Sequence, residues 1–508
     1  MARYKDYDYN QSKMIPVSFD QQILPGSFEY SLCYLIDHEI DLGVFEERYT
    51  NDDGGRPAYD PAILLKIILL AYSKGITSSR KIEALCRENV VFMAISADSQ
   101  PHFTTIADFI SGSPDEIGDL FLQVLLTCDD LGLIGKEMFA IDGCKLPSNA
   151  SKEWSGTHAE LEKKHKKIDK AIRYILKKHR DTDKGAIPAD IQEREKQQVE
   201  KLRRASQKIK KHLATRQDKT GVNGNIVKSN ITDPDSAKMK TSHGVIQGYN
   251  GVAAVDAKHQ IVVHAHAYGR AQEHGLLEPM IEGAHQNLKH SKRQIKKTTI
   301  TADSGYHNKK ALDYLKDNGI NGYIADTGFR SRDPRFKDYK QHKAKDRLKP
   351  KKRFTVEDFK VNLKKKTCVC PAGKAMWLKG QQCRIGHHLF MQFQAYEKDC
   401  PSCPLKSKCL KSINQKTPRQ VNIKQGITKK QQTGVIEQMK RKLDSDRGRH
   451  IYSQRLGTVE PVFGNITEMI GIKRFSLRGE IKVNAQWQLM TMIHNINKIH
   501  RYGWGWKE

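Results

Sequence analysis

Two short apolar runs that each end in an aspartate constrain this chain more than any other feature. Met138-Phe139-Ala140-Ile141 leads into Asp142-Gly143, and Thr298-Thr299-Ile300-Thr301-Ala302 leads into Asp303-Ser304-Gly305. Short runs of this kind, bounded by turn residues, read as buried strands. Strand patterns also cover Val245–Val255, Gln260–Ala267 and Gly322–Ala325, and helical spacing covers Glu273 to about Leu288 and Asn308–Asn318. The order is therefore β–(insertion)–β–β–α–β–α–β. Both aspartates fall at carboxyl ends of strands in a mixed sheet, where side chains emerge into the crevice that usually hosts chemistry.

The flanking segments have different characters. Residues 56–127 carry apolar residues at helical spacing (Ile63, Leu64, Ile67, Ile68, Ala71) with short polar breaks, which suits either a helix-turn-helix-like module or a plain helical bundle. Hydroxyls before Arg80 and at Thr104-Thr105 are placed to cap helices. From Trp154 to about Gln217 sparse apolar residues in a charged background predict a mostly solvated helical hairpin. Residues 329–447 are dominated by Arg and Lys with no clear core pattern, and the chain is helical again from His450. The expected division is 1–135 helical; 136–155, 240–328 and 448–500 a catalytic core; 156–239 a helical insertion; and 329–447 a basic, Cys-rich insertion.

Charge narrows the function. Against 58 Asp and Glu stand 87 Lys and Arg, a formal net charge of +29, and a polyanion is the default partner of such a chain. The longest apolar run, Ala62–Tyr72, is interrupted by Lys66 and falls short of the roughly 20 residues a membrane-spanning helix needs. The N-terminal MARYKDYDYNQ lacks the apolar region of a secretory signal. An intracellular, cytoplasmic protein without a membrane partner is expected, and its ten cysteines are too few for a disulfide scaffold.

Asp142 and Asp303 together invite a metal ion, although either motif alone is also ordinary turn chemistry. A third acid, Glu460, precedes Pro461. Because proline is tolerated in a first helical turn, Thr458 is the expected N-cap and Glu460 lies just inside a helix, where it could equally serve the helix dipole. Phosphoryl transfer on DNA needs two hard cations held by carboxylates, and magnesium suits such a site.

These residues resemble those of bacterial insertion-sequence DDE transposases. Besides the three acids, the matching stretches are Asp142-Gly143-Cys144-Lys145 with Asn149-Ala150-Ser151, Thr232–Ser236, Gly248-Tyr249-Asn250, Ala302–Tyr306 and Val459–Gly464. The resemblance implies a multidomain α/β chain: a ribonuclease H-like mixed five-stranded sheet with helices, split by two insertions and preceded by an all-α, helix-turn-helix-like DNA-end-binding domain. It places the catalytic and metal-binding acids on Asp142, Asp303 and Glu460, with two magnesium or manganese ions. Auxiliary phosphate contacts fall on Tyr452, Arg455 and Lys473. Relatives carry Tyr-x2-Arg-x3-Glu-x6-Lys; here four residues separate Arg455 from Glu460, and Thr467 stands where the lysine belongs. The implied activity is cleavage at inverted-repeat ends and joining of the 3′-OH ends to target DNA. Synapsis of two ends implies a homodimer or higher oligomer working at the nucleoid.

Cys400-Pro-Ser-Cys403 has the spacing that lets two thiolates share one tetrahedral ion. Cys409 and Cys370 complete a set of four, with Cys368, His387 or His388 as substitutes. Relatives show the same pieces, which makes a structural zinc the expectation beside a compact subdomain of reduced thiols. For contacts to double-stranded DNA the candidates are Arg56, Arg80 and Lys81 near the N-terminus. Arg330, Arg332, Lys351, Lys352 and Arg353 join them from a basic run that interleaves aromatics. Two rival readings are a catalytically inactive DNA-binding derivative, which the irregular stretch around Glu460 favours, and a ribonuclease H-like nuclease acting on structured RNA.

Overall fold

Helical spacing becomes helix along the N-terminal stretch. The computed structural model describes residues 16–49, 54, 57–181, 189–221, 224–242, 244–289, 298–336, 353–385, 388–412, 414–427 and 434–503. Six α-helices come first: α1 (Phe28–Tyr34), α2 (Pro61–Ser73), α3 (Ser79–Glu88), α4 (Val90–Ile95), α5 (Phe103–Gly112) and α6 (Pro114–Asp130). Asp60 caps α2 by accepting from the Ala62 N–H, with Pro61 in the first turn. The hydroxyls expected to cap the next helices do not. Ser78 makes no side-chain cap bond, and α5 begins before Thr104, with the His102 ring accepting from the Thr104 N–H.

The chain continues through β1 (Met138–Pro147), the hairpin α7 (His158–Asp181) and α8 (Ala189–Thr215), β2 (Ala237–Thr241), β3 (Gly244–Asp256), β4 (Val262–Tyr268), α9 (Leu277–Asn287) and β5 (Thr299–Ala302). It goes on through α10 (Lys309–Asp317), β6 (Gly322–Ile324), β7 (Lys360–Asn362), β8 (Thr367–Val369), β9 (Ala375–Ile385), β10 (His388–Ala395) and β11 (Gln420–Ile427). Three helices close it: α11 (Val435–Asp444), α12 (Asp446–Gly464) and α13 (Glu480–Tyr502). The chain divides into two compact units, one of residues 1–306, 319–322 and 453–508, the other of residues 307–318 and 323–452.

In the first unit β3 is the central strand. One edge pairs antiparallel with β1, from Phe139↔Asp256 to Pro147↔Gly248; the other pairs with β2 and then β4. On its far side β1 pairs in parallel with β5, from Met138↔Thr299 to Ile141↔Ala302. Asp142 is therefore mid-strand rather than at a strand end. The polar half of β1 stays extended because β3 still pairs with it after β5 has stopped.

Helix α13 lies against this sheet and is buried along most of its length. Its Trp487 indole N–H donates to the Val252 carbonyl of β3 at 3.0 Å, and Asn495 bonds both backbone groups of Val262 in β4, at 2.8 and 2.9 Å. Gln486 donates at 3.0 Å to the Tyr72 hydroxyl of α2. The same helix thus joins the sheet to the N-terminal helices. In the hairpin, Leu161, Ile168 and Ile209 form a small core that Trp154 and Ile231 extend.

Pro461 does not open a helix. It sits inside α12, which starts at Asp446, so Thr458 is no N-cap. Proline cannot supply the N–H that the Gly457 carbonyl would otherwise accept. The Gln260 amide donates to that carbonyl instead, at 2.9 Å, and a π-helical turn follows at Asn465–Met469.

The second unit holds a core that its basic composition concealed. Strands β7 to β11 form a five-stranded antiparallel sheet in sequential order. Phe359, Cys368, Met376, Met391, Phe393, Ala395 and Val421 fill it. Alternation in β10, with Met391, Phe393 and Ala395 inward, is the pattern of a half-buried strand.

Replacing Asn495 with alanine strands a buried N–H and a buried C=O at Val262. Urea denaturation should show a loss of about 2–4 kcal/mol, since each stranded group costs about 1–3 kcal/mol.

Candidate active site

The site is built where β5 ends beside β1. Ile141 and Ala302 are register partners in parallel strands, so the next residues, Asp142 and Asp303, leave the ladder side by side. Each carboxylate is oriented by a local backbone donor: Asp142 Oδ1 accepts from the Gly143 N–H at 2.8 Å, and Asp303 Oδ1 from the Gly305 N–H at 2.7 Å. The second oxygen of Asp142, Oδ2, takes Nη1 of Arg455 at 2.6 Å, an ion pair with both side chains largely buried. Arg455 reaches it from α12. Burial pushes the Asp142 carboxyl up, Arg455 opposes this, and Asp303 adds to it.

A carboxylate that the sequence reading took only as the start of a helix joins them. Glu273, between β4 and α9, is pushed up from 4.5 to about 7, first by burial and then by the Asp303 charge, with Lys145 opposing and Asp142 reinforcing. Gly305 makes room for it. A Cβ there would overlap Glu273 Oε2 and stand 3.0 Å from Asp303 Oδ1. The phenol of buried Tyr306 is raised well above its ordinary value, by burial first and then by Glu273, Asp142 and Asp303 together. Asp303 directly follows β5, whereas Glu273 lies beyond β4 in the connection to α9, so no strand end marks it in the sequence.

Asn250 of β3 completes the surroundings. Its side chain is fully buried over Gly143, where a Cβ would come within 2.5 Å of its Oδ1. The amide lies near enough to Glu273 to favour the ionised carboxylate. Neither amide atom has a hydrogen-bond partner of normal geometry among the described residues.

Other candidates lie elsewhere. Glu460 is exposed on α12, and the groups acting most on Asp142 are Arg455 and Asp303. Tyr452 packs edge-on against Phe329 in the second unit, Lys473 pairs with Glu468 at 2.8 Å, and Thr467 bonds back to the Phe463 carbonyl. Arg332 is held by Asp326 and Asp444. Arg80 lies over the Phe103 ring and Arg330 over Phe336, while Lys81 and Arg353 are exposed. Arg56, Lys351, Lys352 and His387 fall outside the described residues. Two residues of the other matching stretches are scaffolding: the Tyr249 hydroxyl donates to Asp233 at 2.7 Å, and Asp233 also accepts from the Gly479 N–H.

In the second unit Cys370, Cys400, Cys403 and Cys409 line one cavity of about 30 Å³. Cys368 does not: its thiol is buried in the sheet core against the Met376 sulfur. Among the described residues no three His, Cys, Asp or Glu side chains are grouped so as to hold a metal ion as they stand. Hard oxygen donors, glycine clearance and the unsatisfied Asn250 amide nevertheless fit a magnesium-type cation at the acidic centre. The four thiols have the chemistry of a zinc site. A groove of about 1080 Å³ is lined by Arg216, Lys238, Arg270 and Gln272 among others. No described helix is long and apolar enough to cross a membrane.

Two family models match the chain: a transposase DDE domain over residues 369–500, which takes in the thiol cluster, Arg455 and Glu460, and a second transposase domain over residues 17–112, the N-terminal helices. No curated protein matches it.

A carboxyl raised by folding binds a proton that the unfolded chain releases. The contribution of Glu273 to stability is thus complete below about pH 4.5 and lost as pH rises to about 7. Chemical denaturation in EDTA across this range should show Glu273→Gln with a shallower fall in stability than the wild type. An identical fall would mean that the three acids do not face one another.

Proposed function

We propose, for a chain that two transposase domain matches support as an insertion-sequence DDE transposase, that Asp142 and Asp303 hold two magnesium or manganese ions against a DNA phosphodiester, with Glu460 as the third acid. The observation that carries this is the emergence of Asp142 and Asp303 side by side from adjacent parallel strands, with Arg455 on the first. The strand order β4–β3–β1–β5, with only β5 parallel to β1, suits a ribonuclease H-like core.

Bound cations of this kind activate the attacking oxygen and stabilise the leaving one. The side chains do the positioning. Gly143 and Gly305 N–H groups fix the two carboxylates, and Arg455, once it leaves Asp142, presents a fork that matches phosphate oxygens. In the first step a water oxygen bonds to phosphorus, and the bond to the 3′ oxygen breaks to leave a 3′-OH. In the second step that hydroxyl oxygen bonds to a target phosphorus, the target's bond from phosphorus to its 3′ oxygen breaks, and the proton lost by the attacking hydroxyl is made up on the released 3′ oxygen through solvent. Both are in-line displacements at phosphorus, so one set of carboxylates serves both.

DNA would lie in the groove of Arg216, Lys238 and Arg270, with further contacts from Arg56, Arg80, Lys81, Arg330, Arg332, Lys351, Lys352 and Arg353 and phosphate contacts from Tyr452 and Lys473. Two copies of the chain would bring two element ends together, at the nucleoid in the cytoplasm. Cys370, Cys400, Cys403 and Cys409 would hold a structural zinc that fixes the loops around the five-stranded sheet.

The test is cleavage of DNA carrying the element's flanking ends with magnesium or manganese. Wild type should cut, while Asp142→Asn, Asp303→Asn and Glu460→Gln bind without cutting. Binding without cutting by the wild type would favour the inactive derivative, the reading that the exposed Glu460 supports, and cutting of structured RNA alone would favour the nuclease. Lys238→Ala and Arg270→Ala should each reduce the salt slope of DNA binding by about one. Protein purified under reducing conditions should carry about one zinc per chain, lost in Cys400→Ser/Cys403→Ser; metal-free protein with an intact second unit would exclude the zinc.

A further inference from the structure

We infer that Glu273 is a carboxylate ligand of the cation site at Asp142 and Asp303, and that Asn250 orients it. This rests on the proposed function of those two acids and adds a ligand that the transposase reading does not assign. Three observations converge. Gly305 leaves room for the Glu273 and Asp303 oxygens to approach the same point, and a side chain of any size there would close it. Ile141 and Ala302 are register partners in parallel strands, so Asp142 leaves the ladder beside Asp303 and the same site. The Asn250 amide is fully buried beside Glu273 with neither atom in a hydrogen bond of normal geometry, in a protein interior where such groups are nearly always satisfied.

Structural acids of the same unit look different. Asp256 is fully buried and accepts backbone N–H groups from Gly135, Lys136 and Lys258 at 3.0, 2.8 and 2.9 Å. Asp233 takes a tyrosine hydroxyl and a backbone N–H. Glu273 has no such set of donors; its charged surroundings are Lys145 and two like charges. A carboxylate held among like charges, with the Asn250 amide in place of such a set of backbone donors, is arranged for a cation. Asn250 supplies a neutral oxygen and an N–H₂ donor, so one side chain can steady the carboxylate and offer a further oxygen. This carboxylate is in place without any change in α12, whereas Glu460 is turned to solvent.

The experiment is manganese binding by the full chain without DNA, followed by the free Mn²⁺ electron paramagnetic resonance signal, alongside thermal melting in EDTA at about pH 8. Glu273→Gln should weaken Mn²⁺ binding about tenfold or more. It should melt at or above the wild-type temperature, because a like charge has gone. Glu273→Asp should restore part of the affinity, Asn250→Ala should weaken it, and the surface change Glu468→Gln should leave it unchanged. Wild-type affinity in Glu273→Gln overturns the inference, as does a loss of affinity accompanied by a lower melting temperature that Glu273→Asp does not rescue. If Asp142→Asn and Asp303→Asn also bind Mn²⁺ normally, the cation site itself falls and the inference with it. A wild type that binds Mn²⁺ through these acids yet cuts no DNA end overturns the transposase chemistry and leaves Glu273 in place.

Discussion

The first unit depends on a helix that is buried on two sides. Helix α13 presents Trp487, Gln486 and Asn495, all fully buried, and each spends its polar atoms on a different neighbour: a β3 carbonyl, an α2 hydroxyl and both backbone groups of Val262 in β4. Burying such groups is costly unless every partner is met, so these bonds fix the register of the helix more tightly than apolar packing alone. That register reaches the acids through the sheet. Val252, held by Trp487, faces Gly143 across the β3–β1 ladder, and Ala253 faces Asp142. The N-terminal helices, expected as a separate module, share this unit because α13 packs against both them and the sheet.

Much of the core was legible because its signals are local. The apolar runs before Asp142 and Asp303, the alternation of β4 and the sparse apolar spacing of the hairpin each specify an element without knowledge of its partners. What escaped depends on partners. The continuation of β1 past Asp142 follows from its pairing with β3, which no local pattern encodes. The five-stranded sheet of the second unit was hidden by lysines and arginines on its outer face, although Met391, Phe393 and Ala395 alternate as a strand should. Pro461 was misplaced for a similar reason: a helix keeps an internal proline when another chain segment satisfies the freed carbonyl, and that donor, Gln260, lies far away in sequence.

At the site, the two aspartates were readable because each ends an apolar run, and Glu273 was not because its sequence reads as the start of a helix, although α9 begins only at Leu277. Acidic residues in a first turn are so commonly explained by the helix dipole that the pattern carries no chemistry by itself. Only the fold shows that the β4–α9 connection and the β5 turn bring Glu273 and Asp303 to the same glycine. The thiols divide by the same logic. Four cysteines line one cavity while Cys368, two residues from one of them, is buried in the sheet core; residues two apart in a strand share a face, so what separates them is that β8 stops at Val369 and Cys370 lies beyond it.

Arg455 gives the acidic centre its most consequential competition. A guanidinium on Asp142 offsets the repulsion among three carboxylates in a half-buried site, which would otherwise favour protonation. A divalent cation offsets the same repulsion and, in the proposed chemistry, needs the same Asp142 oxygen. The two ligands of Asp142 are therefore linked: whatever draws Arg455 away, a DNA phosphate above all, strengthens cation binding, and by reciprocity cation binding frees Arg455 for phosphate. In the proposed chemistry, substrate arrival and cation loading are thus one coupled event rather than two.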